Sequence, residues 1–334
     1  MTPARILIAR EAYPEVLARL EQRFEVDYHA VDEPLPQEEL TARLADKDGV
    51  LTMPTERIDA ALLTACPRLK AVCNSAVGYN NIDLGACTRA GVMATNTPGV
   101  LDDTTADIAW ALMLASARRV VAADQWVRAG QWGGWKFKGW LGEDVHHATL
   151  GILGMGRIGQ TVARRAAGFD MRVIYHNRSR LPAERETECH ASLVDKATLL
   201  RDSDFLVLML PYSPESHHVI GAAELAQMKP TAHLVNVARG GIVDDSALID
   251  ALQARRIAGA GLDVFEGEPA LDPRFFALDN VVLTPHIGSA SSATRMKMAM
   301  LAAENLIAAL TGKVPPNLLN PGVRNQLPRA GQPE

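Results

Sequence analysis

The chain has 334 residues, of which 48% are hydrophobic and 22% are charged, and its formal net charge is −5. Because this length exceeds the size at which a single core usually stops growing, we expect two domains, and the apolar fraction excludes an intrinsically disordered chain. The negative net charge argues against a nucleic-acid partner.

Two further classes of protein are not indicated by the sequence. The chain has no uninterrupted apolar stretch long enough to span a bilayer and no leader pattern at its start, so we expect neither membrane insertion nor secretion. The four cysteines, Cys66, Cys73, Cys87 and Cys189, lack paired C-x-x-C spacing. Reduced thiols in a cytoplasmic protein are the simplest interpretation.

Short β-rich runs alternate with helical patterns along the chain, which is typical of an α/β fold with parallel sheets. The first series of predicted strands lies at 5–9, 26–29, 49–53, 70–74 and 92–96. A long helix follows, with Asp103 or Thr104 as its N-cap and Gly130 as its stop.

A second series of six strands is predicted at 149–154, 172–176, 205–210, 233–238, 259–264 and 281–285. This number suits a doubly wound nucleotide-binding domain. A last long helix, from about Ser289 to Leu310, follows the final strand and could return the chain to the first domain. The first domain would then be discontinuous.

A glycine-rich loop joins the first strand of the second series to the next helix. Gly154, Gly156 and Gly159 have G-x-G-x-x-G spacing, and the helix begins at Arg157 with Ile158 directed toward the sheet. Such a loop turns tightly and lets a pyrophosphate approach the backbone at a helix N-terminus. The strand-to-helix context therefore predicts a dinucleotide site.

The end of the following strand bears on which dinucleotide is bound. An acid about 20 residues after the glycines would bind the ribose 2′-OH of NAD, but the sequence here reads "YHNRSR". Arg178 and Arg180, next to Asn177, could instead pair with a 2′-phosphate, which favours NADP(H) and leaves NAD(H) possible. Alternatively, these two arginines form a solvated turn. Arg157, beside the glycines, either adds positive charge near the pyrophosphate or faces solvent.

Three strand ends of the second series carry candidate catalytic residues. "HLVNVARGG" places Arg239 after a strand, "GLDVFEGEP" presents Asp263, Glu266 and Glu268, and "VVLTPHIGS" presents His286. Each has an ordinary structural alternative: a surface charge, a turn cap or a hydrogen-bonded loop histidine. Parallel sheets bind ligands at the carboxyl ends of their strands, so together these residues predict one active site.

The residue types suit the reduction of a 2-oxo acid. Histidine donates a proton near neutral pH, and a neighbouring carboxylate orients the ring and favours imidazolium. We assign these roles to His286 and Glu268. Arg239 would bind the substrate carboxylate and polarise the keto oxygen.

We predict no metal site. The adjacent pairs His146–His147 and His217–His218 could not both face one ion from a helix or a strand, because neighbouring side chains point apart there. We interpret both pairs as structural.

An ordered set of motifs covers nearly the whole chain: "SAVGYNNID", "GMGRIG", "NVARGG", "LDVFEGEP" and "TPHIGSA". With these the chain resembles the D-isomer-specific 2-hydroxyacid dehydrogenase family. Within the family it is most similar to glyoxylate/hydroxypyruvate reductases and bacterial 2-ketogluconate reductases, through "TPGVLDDTTAD", "WLGEDVHHATLGI" and "HNRSR".

The resemblance implies two Rossmann-like or flavodoxin-like domains with parallel sheets and an active site in the interdomain cleft. The substrate-binding domain would comprise 1–100 and 288–334, and the Rossmann domain 101–287. The implied catalytic set is Arg239, Glu268 and His286. The backbone N–H groups of Val77 and Gly78 would receive the substrate carboxylate. The resemblance also implies that Thr104 touches the cofactor and that Asp263 orients the nicotinamide carboxamide. With the glycine loop and the strand end above, the predicted cofactor contacts are Thr104, Gly154, Gly156, Arg157, Ile158, Gly159, Asn177, Arg178, Arg180 and Asp263.

Four of the five tryptophans fall in one apolar segment, "WVRAGQWGGWKFKGW". The resemblance implies a dimerisation arm at about 118–148, a homodimer, and Trp140 reaching the partner's active site. Alternatively, the tryptophans simply cover their own domain.

Together with Arg178 and Arg180, the resemblance implies an NADPH-preferring reductase of glyoxylate, hydroxypyruvate or 2-ketogluconate. Because some family members are NAD(H)-sensing corepressors, a non-enzymatic binding protein is the alternative.

Overall fold

The computed structural model describes residues 3–325, and these residues form two compact units. One unit contains the described chain up to Leu101 and from Ser291 onward, and the other is Asp102–Ala290. The assignment of 1–100 with 288–334 to substrate and of 101–287 to the dinucleotide stays a prediction. Residues 326–334, at the end of the predicted substrate-binding domain, lie outside the described residues.

The first unit is a parallel five-stranded sheet with helices. Its sheet has the order β2-β1-β3-β4-β5, the order of flavodoxin-like sheets. The helix Ser292–Leu310 packs on β3 and β4, so a segment late in the chain completes this unit. The other elements are β1 Arg5–Ile8, α1 Pro14–Glu21, β2 Glu25–Tyr28, α2 Gln37–Leu44, β3 Gly49–Thr52, α3 Ala60–Ala65, β4 Ala71–Asn74, α4 Leu84–Arg89 and β5 Met93–Thr95.

The second unit is a parallel seven-stranded sheet, ordered β12-β11-β10-β9-β6-β7-β8. Its elements are α5 Asp102–Ala117, α6 Val120–Arg128, β6 Thr149–Leu153, α7 Arg157–Ala166, β7 Arg172–His176, α8 Ala183–Glu188, β8 Ala191–Leu193, α9 Lys196–Asp202, β9 Phe205–Leu208, α10 Ala222–Leu225, β10 His233–Asn236, α11 Asp245–Gln253, β11 Gly259–Leu262 and β12 Val281–Leu283. The strand order reverses between β6 and β9, which makes this a doubly wound sheet with its topological switch point at β6. The predicted fold class, two α/β domains with parallel sheets, is confirmed.

The prediction of six strands in this unit is wrong, because β8 was missed. This strand is only three residues long and is recognisable through its pairing with β7, where Ala191 lies opposite Val173. A run of three residues carries too little periodicity to be identified from sequence.

The single long helix predicted up to Gly130 is also wrong. The helix already includes Asp102, so neither Asp103 nor Thr104 is its N-cap, and it ends at Ala117. Arg119 then adopts a left-handed conformation with φ 54° before α6 begins. The break has a tertiary cause: the carbonyl of Ala117 accepts a hydrogen bond from the N–H of Glu143, 3.0 Å away, rather than from the next helical turn.

The local helix signals are otherwise the expected ones. Carboxylate side chains cap the N-termini of α3, α4, α9 and α11 by accepting a backbone N–H. The last long helix begins at Ser292, three residues after its predicted start at Ser289, and Ser291 caps it. All four cysteines are free and buried, and burial raises the pKa of Cys73 and of Cys87 to about 12. Every helix of the described chain is too short or too polar to cross a membrane.

Candidate active site

The three predicted catalytic segments follow three neighbouring strands. β10, β11 and β12 are adjacent and parallel, so they end at the same edge of the sheet. Arg239 comes three residues after β10, Asp263 directly after β11, and His286 three residues after β12. The topology therefore brings these segments together at the carboxyl edge, where open α/β sheets bind ligands.

The loop after β10 presents a half-buried Arg239. Asn236, at the end of the strand, holds this loop with its side chain: Nδ2 donates to the carbonyl of Arg239 at 3.0 Å, and Oδ1 accepts from the N–H of Ala238 at 3.1 Å. Burial lowers the pKa of the Arg239 guanidinium, and the charge of Glu268 acts in the opposite direction. The group remains a cation at neutral pH.

Gly240 explains how the β10 and β11 loops approach each other. A Cβ at this position would lie 1.7 Å from the carbonyl oxygen of Phe265, so no larger residue fits. Sequence reasoning missed Asn236 and Gly240 as supports of the site. Both lie within the "NVARGG" motif, but the motif alone does not reveal which groups they contact.

Glu268 and His286 form a close pair. Nδ1 of His286 lies 2.7 Å from Oε1 of Glu268, and the other carboxylate oxygen accepts from the N–H of Phe265 at 3.2 Å. Burial alone would raise the pKa of the Glu268 carboxyl. The hydrogen bond and charge of His286, with smaller contributions from Phe265 and Arg239, outweigh burial and lower this pKa. Glu268 is therefore ionised at neutral pH, and it orients the imidazole through Nδ1.

His286 itself has an uncommon backbone conformation. Its φ is 54°, in the left-handed region that non-glycine residues seldom occupy. The buried carboxylate of Asp263 holds this loop, since it accepts hydrogen bonds from the hydroxyl of Thr284 at 2.6 Å and from the N–H groups of Ile287 at 2.8 Å and Gly288 at 2.7 Å. Asp263 thus supports the segment that presents the histidine.

The glycine loop has the geometry that a pyrophosphate requires. Gly154 has φ 102°, and a Cβ at Gly159 would lie 2.5 Å from the carbonyl oxygen of Gly154. At Gly156 a Cβ would meet no atom within 4 Å, so open space lies beside the first residue of α7. This helix has no side-chain cap, which leaves its first N–H groups for an anion. The residues therefore fit a dinucleotide.

Other predicted cofactor residues surround this loop. Asn177 supports it, because its Oδ1 accepts from the N–H of Met155 at 2.6 Å. Ile158 is half-buried in the first turn of α7, and Thr104 is half-buried in the first turn of α5. Arg157 is exposed and lies 3.3 Å from a carboxylate oxygen of Asp102, so it is an ion-pair partner within the chain.

The two arginines after β7 differ in their contacts. Arg180 donates from Nε and Nη2 to the carboxylate of Glu186 at 2.8–3.1 Å, and that carboxylate also accepts from the hydroxyl of Tyr175 at 2.6 Å. Arg178 is exposed and makes no ion pair or hydrogen bond with the rest of the described chain, but its charge contributes, after the hydrogen bond from Ser213, to lowering the pKa of the Glu215 carboxyl. The sequence treated the two as equivalent, whereas in the structure Arg180 is paired with Glu186 and Arg178 is not in an ion pair.

Comparisons with known proteins decide the family. Residues 110–288 match the family model described as "D-isomer specific 2-hydroxyacid dehydrogenase, NAD binding domain". A glyoxylate reductase of Thermococcus onnurineus is 49% identical over 325 residues, which are 96% of this chain and 97% of the relative. The chain belongs to this family. It is therefore an oxidoreductase with an NAD(P)-binding domain.

Solved structures of the family share the fold. A protein from Thermus thermophilus has a TM-score of 0.88 and 41% identity, covering 94% of this chain and 99% of that one. An NADPH-dependent glyoxylate/hydroxypyruvate reductase from Sinorhizobium meliloti, in complex with NADP and malonate, has a TM-score of 0.85 and 32% identity, covering 95% and 97%.

Val77 and Gly78, predicted to receive a substrate carboxylate, lie in the loop after β4. Their carbonyls accept side-chain hydrogen bonds from Asn96 at 2.8 Å and from Asn74 at 2.9 Å. Their backbone N–H groups donate to no acceptor in the described chain. This arrangement fits a family member that binds a carboxylate here, but the role stays a prediction, as does the location of the active site in a cleft between the domains.

The two histidine pairs differ from what the sequence suggested. The argument against a shared ion assumed a helix or a strand, but both pairs lie in turns, where His147 has φ 62° and His218 has φ 49°. The rings of His217 and His218 stack at 3.8 Å. The argument that neighbouring rings must point apart is therefore wrong for this pair. His146 and His147 are edge-to-face at 5.0 Å.

The segment around 118–148 exposes large apolar side chains. Trp132, Trp135, Phe137 and Leu141 are between 62% and 80% exposed. Trp140 differs, because it packs against Trp126 at 5.4 Å between ring centroids and lies under the guanidinium of Arg119 at 5.0 Å. Four exposed apolar side chains within ten residues, two of them in contact (Trp135 and Phe137, ring centroids 6.1 Å apart), are typical of an interface.

Proposed function

We propose that this family member reduces short 2-oxo acids, glyoxylate and hydroxypyruvate foremost and 2-ketogluconate in addition, to the D-2-hydroxy acid, with NADPH preferred over NADH. The observation that carries the proposal is the His286–Glu268 pair at the sheet edge that also bears Arg239. The substrate class is supported by the relatives named glyoxylate reductase and by the NADPH-dependent glyoxylate/hydroxypyruvate reductase of similar structure.

The proton in this mechanism comes from His286. Because the ionised Glu268 accepts from Nδ1, the other ring nitrogen, Nε2, carries the proton that can be delivered to the substrate oxygen. The pair thus holds the proton donor in one orientation.

Arg239 binds the substrate in this proposal. Its planar guanidinium offers paired donors to the substrate carboxylate, and its positive charge stabilises the oxyanion that forms on the neighbouring carbon. The nicotinamide dinucleotide, when bound, supplies the hydride. Gly154, Gly156, Gly159 and Asn177 would hold its phosphates and adjacent ribose, and Thr104, Ile158 and Asp263 would line it further.

Cofactor preference is assigned to Arg178. A 2′-phosphate needs a donor fork that is not already paired, and Arg178 meets this condition while Arg180 is bound to Glu186. We therefore propose that Arg178 contacts the 2′-phosphate directly and that Arg180 supports the turn that carries it. NADH remains a usable cofactor, since the phosphate-binding loop does not depend on Arg178.

The exposed arm around 118–148 supports a homodimer. Burying Trp132, Trp135, Phe137 and Leu141 against a second copy removes their apolar surface from water. We place Trp140 at the base of this arm and retain its predicted reach into the partner's active site as part of the proposal. Light scattering should give twice the chain mass for the wild type and a monomer for Trp135→Glu with Phe137→Glu.

The decisive test is an initial-rate assay with glyoxylate, hydroxypyruvate, pyruvate and 2-ketogluconate, each with NADPH and with NADH. We expect turnover of glyoxylate and hydroxypyruvate, a D-configured product from hydroxypyruvate, and a higher kcat/KM with NADPH. Cofactor binding without turnover of any oxo acid would instead favour the NAD(H)-sensing binding protein. Equal kcat/KM with both cofactors would contradict the preference alone.

A further inference from the structure

A second group of possible ligand atoms lies beside the catalytic loop. One ring nitrogen each of His217 and His218 and one carboxylate oxygen of Glu266 lie within 4.8 Å of one another. Nε2 of His218 is 3.1 Å from Oε2 of Glu266, and these two side chains are 35% and 45% exposed. Both imidazoles and the carboxylate are therefore accessible from solvent.

The rings of the two neighbouring histidines lie on the same side of the chain. In an extended strand the two rings would point to opposite sides. Here His218 has a left-handed φ of 49° and the two rings stack at 22° with centroids 3.8 Å apart, whereas His147, with φ 62°, leaves the rings of the other pair perpendicular. Because a ring nitrogen binds a metal in the plane of its ring, one of the stacked rings would tilt for both to bind the same ion. A left-handed φ costs energy in a non-glycine residue, although histidine tolerates it better than most.

Both loops of the cluster are held by hydrogen bonds from outside it. Nδ1 of His217 lies 3.2 Å from the hydroxyl of Tyr212, and the N–H of His218 donates to the carbonyl of Gly241 at 2.8 Å. The N–H of Glu266 donates to Asp245 at 2.9 Å. The Tyr212 hydroxyl on Nδ1 of His217 leaves Nε2 of this ring for a ligand, as in many metal-binding histidines.

We propose that His217, His218 and Glu266 bind one divalent cation of the zinc class. Two imidazoles and a carboxylate are a ligand set that Zn²⁺ accepts with water in the fourth position, whereas Mg²⁺ and Ca²⁺ prefer oxygen ligands throughout. The carboxylate offsets part of the positive charge. The cation would join the loop after β9 to the loop that carries Glu268, two residues beyond Glu266.

The chain contains its own control. His146 and His147 are also adjacent and also near a carboxylate, with Nε2 of His146 3.7 Å from Asp144. Their rings are perpendicular, at 86°, and they do not form a three-ligand group in the described chain. Replacing this pair removes two histidines without touching the proposed site.

The test is isothermal titration calorimetry of the tag-free full-length chain, first dialysed against chelator, with ZnCl₂ and separately with MgCl₂. We expect one Zn²⁺ per chain in the wild type, in His146→Ala/His147→Ala and in His286→Ala, and no Mg²⁺ binding. His217→Ala and Glu266→Gln should each weaken Zn²⁺ binding at least about 10-fold, because each removes one ligand.

Thermal unfolding provides a second measurement. Zn²⁺ should raise the Tm of the wild type and of the His146→Ala/His147→Ala control, since it binds the folded chain, and should leave the Tm of Glu266→Gln unchanged. If His217→Ala fails to fold, His217→Gln takes its place. Absence of Zn²⁺ binding in the wild type, unchanged affinity in both ligand variants, or loss of binding in His286→Ala would each overturn the proposal.

Discussion

Nδ1 of His286 contacts Oε1 of Glu268 at 2.7 Å although the two residues are 18 positions apart in the chain. If His286 is the proton donor, His286→Ala should lower kcat by about 10²- to 10⁴-fold, the usual contribution of a positioned general acid. Binding of NADPH, measured by fluorescence titration, should stay the same. A kcat within a factor of about two of the wild type would remove His286 from the mechanism.

Glu268→Gln provides the companion test. The amide keeps the size of the side chain but cannot ionise, so the acid limb of the pH–rate profile that reports protonation of Glu268 should disappear and kcat should fall. Steady-state rates across pH measure both effects. A profile unchanged in shape and height would show that the carboxylate is only structural.

Arg239→Lys separates charge from geometry. Lysine keeps the positive charge but has no planar fork, so we expect KM for glyoxylate to rise by about 10- to 100-fold, the loss of one charge-assisted hydrogen bond. NADPH affinity should not change. The same increase in Arg157→Lys, an exposed arginine beside the glycine loop, would indicate a nonspecific effect of charge geometry.

Arg178 and Arg180 should behave differently. Arg178→Ala should weaken NADPH by about 10- to 100-fold, through the lost charge-assisted contact, and leave NADH unchanged. Arg180→Ala leaves the buried carboxylate of Glu186 with fewer partners, so it should lower the free energy of unfolding and weaken both cofactors. Cofactor titrations and urea unfolding distinguish the two variants. Equal weakening of NADPH and NADH in Arg178→Ala would contradict its role.

Asp263→Asn tests the support of the histidine loop. An amide has one acceptor oxygen, so at least one of the three donors on Asp263, from Thr284, Ile287 and Gly288, loses its partner. We expect a loss of about 1–3 kcal/mol in the free energy of unfolding and a lower kcat. Asp195→Asn is the control, because asparagine serves as well as aspartate at a helix N-cap. Equal stability of the two variants would argue against the buried network.

His233 should make stability depend on pH. Its ring is buried against Phe205, one nitrogen lies 2.7 Å from the hydroxyl of Ser116, and burial lowers its pKa to about 4. Between about pH 6.5 and about pH 4 this histidine is protonated in the unfolded chain and neutral in the folded chain. The free energy of unfolding therefore falls as the pH decreases through this range, by about 3 kcal/mol for this residue. Urea unfolding at about pH 7 and about pH 4.5 should show a smaller difference in His233→Gln than in the wild type. The control variant His146→Gln, at an exposed position, should keep the full difference.

Local patterns in the sequence were sufficient for much of the fold. Strand periodicity identified all five strands of the first sheet and six of the seven in the second, and the glycine spacing between β6 and α7 identified the nucleotide loop. These features depend on residues within one strand, one turn or one helix, so they are legible without tertiary information. The predictions failed where a feature depended on a distant partner. β8 exists through its pairing with β7, and α5 ends at Ala117 because Glu143 takes its carbonyl.

The same division applies to the candidate site. The sequence by itself determined which residue types follow the strands, and therefore that Arg239, Glu268 and His286 were worth considering together. Only the tertiary structure decided that β10, β11 and β12 are neighbours, that Arg180 is already paired while Arg178 is not, and that two adjacent histidines share one direction. Strand order and the contact of His218 with Gly241 are set by segments far apart in the chain, and no local pattern encodes them. The Arg180–Glu186 pair joins residues only six positions apart, but it requires the turn after β7 to fold back onto α8.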